Sequence, residues 1–272
     1  MPMTSLNGTD LFYLTVGEGL PCLVMHGGLG FDHTCYHPWL DPLGDVLRLV
    51  YYDHRANGRS GRPPPETLTL EQFAADADAL SASLGFKQVA VLGHSLGGFI
   101  ALTFALHYPE RISYLILVDT APSMDYGDEI IANASRKGAT AEMMAALAAP
   151  NPAEDEAFKQ MIHTVLPLYF YRFDPQVAER LTANTVWSAY AGASNDRFLP
   201  GYSVASQLER IRVPTLILVG RDDFICPPSQ AERMHQGIPN SELVVFEHSG
   251  HFPWVEEPDS FFDALRSWLA GR

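Results

Sequence analysis

Residues 91–102 read VLGHSLGGFIAL. The apolar run before His94 has the short, Val- and Leu-rich character of a strand buried on both faces, and the run after Gly98 continues as an apolar helix. Between them a single small hydroxyl, Ser95, is flanked at two residues' distance by Gly93 and Gly97. Gly-x-Ser-x-Gly at a strand-to-helix junction is a nucleophile elbow. Side chains at the two glycine positions would collide across so tight a turn. The turn lifts the hydroxyl above the sheet edge and leaves the Leu96 amide at a helix N-terminus, where unpartnered N–H groups favour negative charge. His94 reads as a partly buried structural residue.

Outward from the elbow, short apolar runs recur in PCLVMHGG, LRLVYYDHR, ISYLILVDTAPS, PTLILVG and SELVVFE, with TDLFYLTVGEG at the start. Helical patterns alternate with them. LTLEQFAADADALSASLG places Leu70, Phe73, Ala77, Leu80 and Leu84 on one face and ends at Gly85, while GGFIALTFALHYPE stops near Pro109. Strands alternating with helices predict a mostly parallel sheet with helices on both faces. From about Ser123 to Gln207 the patterns are helical only. The expected organisation is therefore a core over 1–122, a helical insertion over 123–207, and the rest of the core over 208–272.

A serine hydroxyl needs a base, and the base needs orientation. His251, on the loop EHSGHFPWVEEP after the last expected strand, lies at the same sheet edge as Ser95; His248 is its competitor. The strand LILVG is followed by Asp222 and Asp223, and spacing does not choose between them. An acyl-transfer oxyanion needs N–H donors. Leu96 offers one; HGGLG (26–30) offers the other through Gly28, with Leu29 as the alternative.

Four segments together, HGGLG (26–30), DHRANGRS (53–60), GHSLGG (93–98) and the pair GRDDF…SGHF (220–224, 249–252), resemble the α/β-hydrolase superfamily over nearly the whole chain. The resemblance implies that fold, with a helical cap between strands 6 and 7 and a catalytic set in the order Ser, Asp, His. Its acid-loop pattern, Gly220, Asp223 and Pro227, favours Asp223, and its SGH segment favours His251. Asp53 and Arg55 match a loop of mostly structural role, in which Ala56 replaces the usual glycine. Dehalogenases and epoxide hydrolases carry aspartate at the elbow. Proline iminopeptidases carry HGGPG where this chain has Leu29, and need cap carboxylates, for which Asp155 and Glu156 are candidates. The apolar cap stripe (Met143, Met144, Leu147, Val165, Leu166, Leu168, Tyr169, Phe170) packs mostly on the core; Leu29, Met143, Met144 and Trp187 are the expected substrate contacts.

The resemblance thus implies a serine esterase, with lactones such as N-acyl-homoserine lactones as possible substrates. An iminopeptidase-type aminopeptidase and a non-catalytic small-molecule receptor are the rival readings. No cofactor or metal is expected, although His33 and His37 have the i, i+4 spacing of zinc ligands. Lys plus Arg number 18 against 32 Asp plus Glu, a net charge of −14 that argues against nucleic acid and anionic membranes as partners. Three scattered cysteines (Cys22, Cys35, Cys226), with no signal-like N-terminus, lead us to expect a cytoplasmic protein acting on a small-molecule ester or lactone. Oligomeric state is not legible.

Overall fold

A computed structural model describes residues 2–272. Eight strands form one sheet: β1 (Met3–Leu6), β2 (Thr9–Val16), β3 (Leu20–Met25), β4 (Leu47–Tyr52), β5 (Val89–His94), β6 (Ile112–Val118), β7 (Thr215–Gly220) and β8 (Ser241–Phe246). Their spatial order is β1-β2-β4-β3-β5-β6-β7-β8. β1 pairs with β2 and β2 with β4 antiparallel; all later pairs are parallel. Every residue of β5 and β7 is buried, which is why they read as unbroken apolar runs.

Alternation along β3 divides the core. Leu23 and Met25 face a layer containing Phe73, Leu80 and Phe104, whereas Cys22 and Val24 face one containing Leu40, Phe261 and Trp268. Helices α1 (Leu70–Ser83) and α2 (Leu96–His107) supply the first layer. The Thr69 hydroxyl caps α1 by accepting from the Gln72 amide at 3.2 Å. The segment between β6 and β7 contains helices and no named strand: α3 (Gly127–Arg136), α4 (Ala141–Ala148), α5 (Asp155–Val165), α6 (Pro175–Thr182), and the single turns α7 (Ala189–Gly192) and α8 (Asn195–Phe198). The chain then completes the core with α9 (Pro228–Gly237), the short α10 (Pro253–Glu256) and α11 (Pro258–Ala270). The helical cap thus sits between strands 6 and 7 of a mostly parallel sheet, as the motif order implies. No helix among the described residues is long and apolar enough to cross a membrane.

Candidate active site

Five loops leave the carboxyl ends of adjacent strands and meet under the cap. Ser95 follows β5, Gly27 and Gly28 follow β3, Asp119 follows β6, Asp223 follows β7 and His251 follows β8. Ser95 sits at φ +53°, ψ −125°, a backbone region costly for any residue with a side chain. Its surroundings hold it there. The Ser95 N–H donates to the Val118 carbonyl at 3.1 Å, and its own carbonyl accepts from the Gly98 N–H at 2.8 Å and the Thr120 hydroxyl at 2.7 Å. A Cβ on Gly97 would collide with the Met25 carbonyl, so the elbow can close only on glycine.

Asp223 and His251 are both buried. His251 Nδ1 lies 2.7 Å from Asp223 Oδ2, and Asp223 Oδ1 accepts from the amides of Ile225 (3.0 Å) and Cys226 (3.2 Å). With Nδ1 donating to the carboxylate, Nε2 is the nitrogen free to act as base. His251 and Ser95 line the same cavity. Asp222 goes elsewhere: it pairs with Lys137 at the end of α3, whose ammonium also donates to the carbonyl of Phe170 at 2.9 Å. His248 is exposed and packs on Tyr171.

The Gly28 and Leu96 amides flank Ser95, and among the described residues neither has a hydrogen-bond acceptor. Gly28 adopts φ +45°, a left-handed conformation that glycine takes freely. The loop carrying it is pinned at both ends. Gly30 N–H donates to Asn57 Oδ1 at 2.7 Å, and Gly27 N–H donates to the Tyr36 hydroxyl at 2.7 Å. That hydroxyl lies 2.6 Å from His94 Nδ1, and His94 Nε2 lies 2.9 Å from the His251 carbonyl. Because the Tyr36 oxygen accepts from Gly27, its proton goes to Nδ1; His94 is then the Nε2–H tautomer and donates to the His251 carbonyl. Burial, then the neighbouring His251, holds the His94 imidazole well below its ordinary range, so it is neutral as this chain of donors requires. His94 is thus the link between the β3 and β8 loops. Nothing in its spacing, or in that of Tyr36, signals the connection.

Asp119 carries no such signal either, although it follows β6 as Asp223 follows β7. It is fully buried, accepts from the Gly220 amide at 2.8 Å, and faces Asp223. Burial, and then the charge of Asp223, push its carboxyl well above the usual carboxylate range, which favours its neutral form. Glu256 joins cap and core: its oxygens accept from Gly250 N–H at 2.7 Å and from the cap's Arg172 N–H at 3.1 Å. The His251 amide donates to the cap's Tyr169 carbonyl at 2.6 Å.

Two cavities meet at Ser95. One, of about 70 Å³, is lined by Gly27, Gly28, Phe31, Cys35, Tyr36, His94, Ser95, Ile162, Leu166, Tyr169, His251 and Phe252. The other, of about 190 Å³, includes Gly28, Leu29, Ser95, Leu96, Phe99, Met124, Tyr126, Phe158, Ile162, Tyr169, Ile225 and Cys226, with Asn151 and Asn195 from the cap. Of the expected substrate contacts, Leu29 lines the larger cavity. Met143 does not: it lines a separate surface groove with Arg136, Lys137 and Phe173. Met144 touches neither cavity and packs against the core layer. Trp187 stands one layer back, its ring 4.8 Å from that of Phe31. The apolar stripe of α4 therefore serves packing, and α5 with its following turn (Ile162, Leu166, Tyr169) roofs the serine.

The zinc-like pair is committed elsewhere. His33 Nδ1 meets Asp53 at 2.6 Å and His37 Nδ1 meets Asp41 at 3.0 Å. Two side-chain sets, Asp223/Cys226/His251 and Asp32/His33/Asp53, do bring potential ligand atoms within 4.8 Å of one another. Both already contain a short His–carboxylate hydrogen bond. Ala56 takes φ +67° and is buried, so this loop keeps the left-handed turn that glycine would supply.

A family model described as "alpha/beta hydrolase fold" matches residues 21–258. Proline iminopeptidase PfmaB of Pestalotiopsis fici is 33% identical, over 97% of this chain and 97% of its own length. Among solved structures, an esterase from Thermogutta terrifontis is similar at TM-score 0.78 and 28% identity, covering 99% of this chain and 96% of that one. The enol-lactonase from Burkholderia xenovorans shares the fold at TM-score 0.80 and 24% identity, covering 99% of this chain and 100% of that one.

Proposed function

The chain belongs to the alpha/beta hydrolase fold family, and from that premise we propose that it is a serine hydrolase of carboxylic esters, lactones included. Ser95 Oγ attacks the carbonyl carbon while its proton passes to His251 Nε2. Asp223 holds Nδ1–H and stabilises the imidazolium that forms. The Gly28 and Leu96 amides receive the oxyanion; one such donor is worth about 10²–10³ in rate. Collapse expels the alkoxide, which takes the proton from Nε2–H. Water then attacks the acyl-enzyme through the same histidine, releasing the acid and restoring Ser95.

The observation that carries this reading is an apolar cavity lined jointly by Ser95, His251 and the unpartnered Gly28 amide. The same cavities weigh against an aminopeptidase. An ammonium taken out of water needs a paired charge, yet among the described residues no Asp or Glu lines either compartment. Asp155 lies 3.6 Å from Arg62 and accepts from the Ala189 amide at 2.7 Å, while Glu156 is exposed. The net charge of −14 favours a small-molecule partner over nucleic acid or an anionic membrane, and three buried free thiols fit the reducing cytoplasm.

The test is a comparison of kcat/KM for neutral methyl esters, followed by pH-stat, with that for proline naphthylamide. The esters are expected to be the better substrates, with turnover abolished in Ser95→Ala. A preference for the prolyl amide would replace this reading with the peptidase one, and ester turnover surviving in Ser95→Ala would remove the serine mechanism.

A further inference from the structure

We propose that this site takes esters of small alcohols whose acyl part is a compact apolar group bearing a hydrogen-bond donor; the proposal rests on the serine-hydrolase reading above. The two compartments share Gly28, Phe31, Ser95, Ile162 and Tyr169, but only the smaller reaches His251 and only the larger reaches Leu96. Chemistry assigns them. The alkoxide that leaves must lie within hydrogen-bond reach of the proton on His251 Nε2. The alcohol therefore occupies the compartment of about 70 Å³. With the oxyanion held by the Gly28 and Leu96 amides, the remaining substituent of the carbonyl carbon enters the compartment of about 190 Å³. An apolar cavity of about 150 Å³ holds a benzene. The acyl side is thus sized for an aryl or short branched group, and the alcohol side for methyl or ethyl.

The acyl compartment is not wholly apolar. Asn151 and Asn195 line it from the cap. Asn151 Nδ2 is occupied, donating to the Gly192 carbonyl at 3.2 Å and Asp196 at 3.3 Å. Asn195 Oδ1 is buried and, among the described residues, accepts no hydrogen bond. A buried acceptor left unpaired is unfavourable, and nearly all such groups find a donor. That oxygen is shielded at rest, and a turn of the Asn195 side chain would present it to a hydroxyl or amide N–H on the acyl group. Such a substrate is hydrolysed with cleavage of the bond between the carbonyl carbon and the alkoxy oxygen. Water provides the hydroxyl of the acid and the proton of the alcohol.

The experiment follows acid release from four esters: methyl phenylacetate, its para-hydroxy and para-methoxy derivatives, and benzyl para-hydroxyphenylacetate. Wild-type protein is expected to favour the hydroxy methyl ester over the unsubstituted one by about tenfold in kcat/KM, the effect of one good hydrogen bond. The methoxy compound should gain nothing, and the benzyl ester should be slower than its methyl counterpart. In Asn195→Leu the ratio of hydroxy to unsubstituted ester should fall to about one. Equal rates across the alcohols, no hydroxyl preference in wild type, or a preference that survives Asn195→Leu would overturn the proposal while leaving the serine-hydrolase reading intact. Failure of every ester, together with no labelling of Ser95 by a fluorophosphonate, would remove both.

Discussion

Replacing Tyr36 by Phe deletes one oxygen and should disturb two loops at once. That oxygen accepts from Gly27 N–H at 2.7 Å and donates to His94 Nδ1 at 2.6 Å, and His94 in turn lies 2.9 Å from the His251 carbonyl. Tyr36, Gly27 and His94 are all buried. In the variant a buried amide proton and a buried ring nitrogen each lose their partner. Each orphan costs about 1–3 kcal/mol, whereas a hydrogen bond whose partners rehydrate costs about 0.5–1.5 kcal/mol. The expected loss of unfolding free energy is therefore about 2–6 kcal/mol. Gly27 precedes the Gly28 donor and His94 precedes Ser95, so the damage should fall on kcat more than on KM, by about ten- to a hundredfold as donor alignment relaxes. Urea unfolding and ester kinetics on the same preparation measure both quantities. A Tyr36→Phe protein with wild-type stability, or with lower stability but unchanged kcat, would refute the claim that this hydroxyl ties the two loops together.

The remaining predictions concern single positions. Ala56, buried at φ +67°, bears a Cβ in a conformation glycine adopts without strain; Ala56→Gly should raise unfolding free energy by about 1 kcal/mol, read from the urea midpoint. Burial raises the Glu256 carboxyl to about 7 despite the opposing Gly250, Arg172 and Tyr171 amides. Between its ordinary 4.5 and about 7 the folded state holds a proton that the unfolded chain has lost. Stability from this group is therefore full below the lower value and falls as pH rises, by at most about 1.4 kcal/mol per pH unit. Glu256→Ala should flatten that slope in a urea series, and carboxyl NMR should find its midpoint near neutrality. Burial and the charge of Asp223 raise the Asp119 carboxyl and favour its neutral form. Asp119→Asn should accordingly keep kcat within about threefold, while Asp119→Leu, which orphans the Gly220 amide, should cost about 1–3 kcal/mol of stability.

The parts legible in the sequence were those with one physical cause. β3, β5 and β7 read as strands because they are buried on both faces, and the elbow read as an elbow because only glycine fits at Gly97. β1 carries no such mark: MTSL is a half-exposed edge strand with no apolar run. Of the functional residues, Ser95, Gly28 and His251 stand on loops that local patterns mark. The neighbouring Asp222 and Asp223 look alike until the fold turns one toward His251 and the other toward Lys137. The cap was the least readable region. Met143 on α4 and Ile162 on α5 both belong to apolar helical stripes, but only Ile162 overlooks Ser95, because the choice depends on how the helices dock. The Tyr36–His94 link is similarly invisible, since it joins residues 58 positions apart through packing alone.

The central claim is that Ser95 is a nucleophile activated by His251. Intact-mass analysis after treatment with a fluorophosphonate tests it directly. One equivalent of label should appear on the wild-type protein, mapping to Ser95, with the rate collapsing in His251→Ala and labelling lost in Ser95→Ala. A label mapping to another residue, or an undiminished rate in His251→Ala, would contradict the account.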